Sequence, residues 1–121
     1  MIFNESKPIY IQIAELICDK IVGDVWCADD RIPSVRELGG ELEVNPNTVM
    51  RAYEWLSQQG VVYNRRGVGF FVAAEARETI VEMQRRELFD KDLRQLAQRM
   101  QLLGISTQQV VEQLERHINK I

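Results

Sequence analysis

Between Pro8 and Val22 the apolar residues Ile9, Ile13, Leu16, Ile17 and Ile21 return at the spacing of one helical face, which predicts a first helix over that stretch. Pro8 suits a first helical turn, where its missing N–H costs nothing. Gly23 is a natural stop. Asp24 to Arg31 is polar except for Val25, Trp26, Cys27 and Ala28, and Trp26 is expected to pin this loop onto the core. A short second helix is predicted over Val35 to Leu42. Ser34 is its N-cap, and Glu37 three residues on completes a capping box. Gly39-Gly40 lies inside it, each glycine costing about 1 kcal/mol relative to alanine, which fits another helix crossing closely. After the turn Glu43-Val44-Asn45, Asn45 caps a third helix with Pro46 at its first position. It runs to about Gln59 and stops at Gly60. Val49, Ala52, Tyr53 and Leu56 form its buried stripe, whereas Asn47, Thr48, Met50, Arg51 and Glu54 lie off that stripe.

The period then changes from helical to extended. Val61-Val62-Tyr63 and Phe70-Phe71-Val72 read as two strands, with Asn64-Arg65-Arg66-Gly67-Val68-Gly69 as the turn between them. A strand pair directly after two helices joined by a tight turn is a wing. The character changes again near Ala73-Ala74. From Glu75 to Leu103 the chain reads as helix of mixed charge, in which Phe89, Leu93, Leu96, Met100 and Leu103 follow the spacing of a coiled-coil seam. Ile80 and Met83 continue that seam upstream, with a slip near Arg85–Glu87. Gly104 breaks the helix. Ser106 with Gln109 caps a last helix, Ile105 with Val110 staples its start, and Val110, Val111, Leu114, Ile118 and Ile121 form its apolar face. The expected fold is mostly α with a small β wing: a winged helix-turn-helix domain over 1–73, then a two-helix C-terminal dimerisation tail over 74–121.

Composition narrows the function. With 121 residues, 45% of them hydrophobic, the chain can build a core. No apolar run approaches the ~20 residues of a membrane span. The first residues lack a basic stretch followed by an apolar block, so no signal peptide and no membrane partner are expected, and the expected compartment is the cytoplasm. Cys18 and Cys27 lack the C-x-x-C spacing of a redox pair and read as reduced thiols, one of them in the core. His117 is the single histidine, which excludes a histidine-built metal or catalytic cluster. No nucleophile–base pair or phosphate-binding glycine loop is present either, so an enzyme is the weakest reading and no cofactor is expected. The net charge of −3 does not exclude nucleic acid, because affinity follows the local field where phosphates dock.

The basic and short polar residues fall where a helix-turn-helix meets DNA. The start of its second helix enters the major groove. There, Asn47 and Thr48 can approach a backbone or a base edge, and Arg51, one turn on, can reach guanine or phosphate. Arg36 lies in the first turn of the preceding helix, beside the groove. Arg65 and Arg66 sit on the wing turn, placed for a minor groove or for phosphate. Taken singly, each arginine is a solvated charge and Asn47 a capping residue. The joint pattern carries the DNA-binding reading, with a winged-helix protein-interaction module as the alternative.

These strings, in order, are Pro8-Ile9-Tyr10-Ile11-Gln12-Ile13, Arg31-Ile32-Pro33-Ser34-Val35-Arg36-Glu37-Leu38, Val44-Asn45-Pro46-Asn47-Thr48-Val49-Met50-Arg51-Ala52, Gly60-Val61-Val62-Tyr63 and Gly67-Val68-Gly69-Phe70-Phe71-Val72. Residues 8–72 thereby resemble the DNA-binding domain of the GntR regulators. The resemblance implies DNA contacts at Ser34, Arg36, Asn47, Thr48, Arg51, Gly67 and Gly69. Two positions depart from it. Gly39 replaces the usual alanine, which would loosen the second helix, and Pro46 removes a polar or basic contact. The short tail is similar to that of the YtrA branch. It is too small for the effector domains of other branches and lacks the histidines of the metal-binding branch. The chain also ends where an aminotransferase-fused branch would continue, so pyridoxal phosphate chemistry is not implied. The resemblance to the YtrA branch implies a bacterial repressor of a transporter operon, binding a palindromic operator as a homodimer; an effector is left open. The dimer surface is expected at Phe89, Leu93, Leu96, Met100 and Leu103 of the long helix with Val111, Leu114 and Ile118 of the short one. The short helix is expected to fold back at Gly104 and cover part of the stripe, leaving a strip for the partner.

Overall fold

In a computed structural model of the chain, residues 6–119 are described. Three helices form first: α1 (Ile9–Val22), α2 (Val35–Leu42) and α3 (Pro46–Gln58). Two strands follow, β1 (Val62–Arg65) and β2 (Gly69–Val72), and then α4 (Ala76–Glu87). A π-helical turn, Leu88–Asp92, leads to α5 (Leu93–Leu103), and α6 (Thr107–Asn119) closes the sequence. Compact packing divides the chain between Glu82 and Met83. The change of sequence character at Ala73-Ala74 comes earlier than this division, because Ala76 and Ile80 of α4 are fully buried. Ile80 is thus a core residue rather than the upstream end of a seam.

In the first unit, α1 and α2 both pack on α3. The core holds Ile13, Ala14, Ile17, Cys18 and Ile21 of α1, Leu38 of α2, and Val49, Ala52, Tyr53 and Leu56 of α3, the stripe expected from the periodicity. Ile9, expected on the buried face of α1, is exposed, and Leu16 is half-buried. Trp26 is half-buried, with the Lys20 ammonium 5.4 Å from its ring centroid. At the end of α1, the Arg77 guanidinium donates to the Val22 carbonyl and pairs with Asp24, each at 3.2 Å.

Gly39 has a structural cause. A Cβ there would stand 2.8 Å from the Val44 carbonyl oxygen and 3.6 Å from Pro46 Cα. The glycine therefore lets the turn and Pro46, the first residue of α3, close against α2, the close approach expected of it. A Cβ on Gly40 would meet open space, so close packing does not explain the second glycine.

The strands run longer toward the turn than expected. Antiparallel pairing continues from Val62↔Val72 through Tyr63↔Phe71 and Asn64↔Phe70 to Arg65↔Gly69. The tip is only Arg66-Gly67-Val68, closed by the Val68 N–H donating to the Arg65 carbonyl at 2.8 Å. Gly67 has φ +78°, which glycine adopts without steric cost. The other edge of β2 is covered by Asp29–Ile32, read beforehand only as loop and helix approach. Asp29 N–H donates to Val72 O at 2.8 Å, Val72 N–H to Asp30 O at 2.9 Å, and Ile32 N–H to Phe70 O at 3.0 Å. Tyr63 donates its hydroxyl to Asp29 at 3.0 Å and stacks on Phe71, which ties the hairpin to this segment.

In the second unit, Leu93 N–H reaches back five residues to Leu88 O. Such a wide turn takes up one extra residue, which accounts for the slip in apolar period seen just before it. Gly104 ends α5 in the left-handed region with φ +66°. Ser106 and Gln109 cap α6 reciprocally, as expected. The expected covering of the long helix by the short one is corrected. Among the described residues from Met83 to Asn119 none is buried, and Phe89 and Ile118 are each 58% exposed. Leu88, Leu102 and Ile105, outside the expected seam, are exposed as well. Ile121 lies outside the described residues.

Candidate nucleic-acid interface

The site is built on two helix starts and a hairpin. At the start of α2, Ser34 Oγ accepts from the Glu37 N–H at 3.1 Å, and the Ser34 N–H donates to the Glu37 carboxylate at 3.2 Å. Both halves of the expected capping box are present. The Ser34 backbone and side-chain hydrogen bonds hold the Glu37 carboxyl below its usual range. Ser34 is half-buried, and Arg36 is exposed in the same turn.

Tyr53 locks α2 to α3. Its ring is fully buried, its hydroxyl donates to the Pro33 carbonyl at 2.6 Å, and it meets Phe70 of β2 edge-on at 5.1 Å. One α3 side chain thus fixes the residue before the α2 cap and the returning strand of the wing. Burial pushes the Tyr53 phenol well above its ordinary range, so it stays a donor.

At the start of α3, Asn45 accepts from the Asn47 N–H at 2.8 Å. The Asn47 side chain itself is exposed and Thr48 is half-buried. Arg51 is exposed at its tip but not free. Its guanidinium stacks on Tyr10 of α1, 4.2 Å from the ring centroid, beside a shallow hollow shared with Trp55 and Gln58. Beside it, sharing Glu54 and Gln58, a groove of about 750 Å³ separates α3 from the hairpin, lined also by Met50, Ser57, Asn64, Val68 and Phe70. A smaller hollow of about 210 Å³ continues toward α2, where Arg31, Ser34, Met50, Val68 and Gly69 meet.

The expected site residues therefore do not share a single place. Ser34 and Gly69 come together in the smaller hollow, and Gly67 lines the larger groove. Arg51 belongs to the Tyr10 flank of α3. Arg65 is the last residue of β1 rather than a tip residue; its guanidinium lies 5.2 Å from the Phe71 ring centroid. Arg66 stands alone on the turn, exposed. Sequence reasoning passed over Arg31, Met50 and Tyr10. Met50 was visible as a residue off the buried stripe. The neighbours of Arg31 and Tyr10 lie far along the chain, and no local period marks them.

Chemically, the surface offers guanidinium groups, the Ser34 hydroxyl and short polar side chains on one winged unit, interrupted by the carboxylate of Glu54. No helix among the described residues is long and apolar enough to cross a membrane.

Residues 9–72 match the profile of the bacterial regulatory proteins, gntR family. Among curated relatives, the uncharacterised HTH-type transcriptional regulator YhcF of Bacillus subtilis is 37% identical over 110 residues, covering 91% of this chain and 89% of that one. The HTH-type transcriptional repressor YtrA of the same organism is 37% identical over 79 residues, 65% of this chain and 61% of its own. Among solved structures, a protein from Bacteroides thetaiotaomicron described as a GntR-family transcriptional regulator superposes with TM-score 0.81 at 38% identity, over 93% of this chain and 98% of that one. The DNA-binding domain of AraR in complex with an operator superposes with TM-score 0.54 at 33% identity, over 59% and 87% of the two chains.

Proposed function

Because the chain belongs to the GntR family of bacterial regulatory proteins, a family of DNA-binding transcription regulators and not of enzymes, we propose that it acts as a homodimeric repressor in the cytoplasm, on a palindromic operator. The winged unit is the DNA-reading part and the region after it the dimerisation part. One recognition helix covers too few base pairs for useful specificity, and a two-fold pair reads two half-sites one helical turn apart. The observation that carries this reading is the tail in which no described residue is buried, since a lone chain leaves its apolar stripe in water. Phe89, Leu93, Leu96, Met100 and Leu103, with Val111, Leu114 and Ile118, form the surface that the second copy covers.

On DNA, α3 enters the major groove. Asn47, Thr48 and Arg51 meet base edges or the adjoining backbone, Ser34 and Arg36 hold a phosphate at the α2 start, and Arg65, Arg66, Gly67 and Gly69 bring the wing to the flanking groove. A dimer seated across a promoter excludes polymerase by its volume. The similarity to a curated repressor supports that sign of regulation, and the resemblance to the YtrA branch points to a transporter operon as the target.

The test is binding of the full chain to an inverted repeat upstream of its own gene, against a scrambled duplex, between 50 and 200 mM salt, a range over which phosphate-contacting proteins lose roughly 10³–10⁵ in affinity. The expected result is a clear preference for the repeat and a steep fall with salt. Binding to neither duplex would leave the winged unit as a protein-interaction module.

A further inference from the structure

The wing base holds a cation that none of the contacts implied by the family resemblance includes. Arg31 is fastened to the edge of β2 by its pairing with Phe71 and by the hydrogen bonds of Asp30 and Ile32 on either side. Its side chain runs back over Gly69. A Cβ built on Gly69 would lie 2.9 Å from Arg31 Nε, 3.5 Å from one terminal nitrogen and 3.6 Å from Cζ. The guanidinium therefore lies against the backbone of the wing, in space that any side chain at position 69 would occupy. The φ of +144° at Gly69 disfavours other residues there as well.

Packing holds this guanidinium, and ion pairing does not. Among the described residues it has no carboxylate within salt-bridge reach and no hydrogen-bond acceptor. Its charge helps to lower the Glu37 carboxyl, and that carboxylate is engaged by the Ser34 N–H. Guanidinium N–H groups with no carboxylate or carbonyl partner match the oxygens of a phosphate in a fixed fork. They border the hollow of about 210 Å³ between the α2 start and the wing, shared with Ser34, Met50 and Val68. A duplex with α3 in its major groove and the wing in its minor groove runs a phosphate strand between those two elements.

We propose that Arg31 is a phosphate-binding residue of the DNA interface, held in position by the glycine at 69. The proposal rests on the DNA-reading function above and adds a contact to it. Arg31 sets affinity and register but not base preference. Gly69 acts through Arg31 as a positioning residue, by leaving the guanidinium its place.

The experiment measures the salt dependence of operator binding by the full-length chain and by R31A, R31Q, R31K, G69A and R31A/G69A, with a thermal melt of each. The expected R31A result is an affinity loss on the order of tenfold, equal on operator and scrambled duplex, with a salt slope smaller by about 1 for each protomer on the DNA. R31Q behaves alike while retaining the stem, and R31K recovers part of the slope. G69A lowers the slope as R31A does, and the double variant loses no more than R31A alone. Wild-type slope in a folded R31A or R31Q overturns the proposal. Further loss in the double variant removes the role of Gly69. Failure of the wild-type chain itself on every duplex overturns the DNA reading instead.

Discussion

The Arg51 guanidinium lies over the ring of Tyr10, 4.2 Å from its centroid, so an α3 residue expected to read DNA is held by a residue of α1. Arg51→Ala is expected to weaken specific binding by ~1–3 kcal/mol and to relax the preference at one base pair per half-site. Tyr10→Leu keeps the bulk and removes the stacking; it should cost less, ~0.5–1 kcal/mol, and nothing in the Arg51→Ala background. Binding measured on a library of half-site substitutions decides this. A loss from Arg51→Ala that is uniform over all sequences would make Arg51 a backbone contact.

The two wing arginines stand differently and should behave differently. Arg66 is on the turn, whereas Arg65 ends β1 and packs over Phe71. Replacing both with alanine should lower the salt slope by up to ~2 per protomer. Arg66→Ala should leave the melting temperature unchanged, while Arg65→Ala should also lower it through lost packing on the ring. A salt slope that stays at the wild-type value in the double variant would place the wing off the DNA.

Assembly is tested in the tail. Leu93 and Leu96 are 50% and 42% exposed in the single chain. The pair Leu93→Glu and Leu96→Glu is expected to convert a dimer to a monomer in light scattering at tens of micromolar, and to abolish tight operator binding. The near-native melt of the winged unit should survive. A wild-type chain that is monomeric under those conditions would sink the homodimer.

The cysteines differ in reactivity. Cys18 is buried and Cys27 exposed. Burial, with the charges of Asp19 and Glu15 adding to it, pushes the Cys18 thiol from 9.0 up to about 12. One thiol per folded chain should react with a disulfide reagent at pH 8, and two in denaturant. Because the folded pKa is the higher one, the Cys18 contribution to stability is intact below pH 9 and is lost as pH rises from there toward about 12. Two fast thiols in the folded chain would contradict the burial.

What could be read in the sequence acts over a few residues. The Ser34–Glu37 box spans three positions, Asn45 caps two residues ahead, and Gly104 stops the helix that it ends. The stripe Val49, Ala52, Tyr53 and Leu56 follows from helical period alone. Such signals place α2 and α3 and identify the winged helix-turn-helix, since backbone hydrogen bonding and local sterics are settled within one or two turns. They also reveal the apolar row of the tail, though not whether α6 covers it, and the exposed residues there show that it does not. Tertiary structure decided the relations between positions far apart in the chain: Arg31 across Gly69, Arg51 on Tyr10, Tyr53 on Pro33 and Phe70, and Asp29–Ile32 along β2. Those depend on where chain closure brings side chains with no local period in common. Gly39 is divided between the two: the sequence pointed to a close crossing, and only the structure shows that the Val44 carbonyl and Pro46 fill the space beside it.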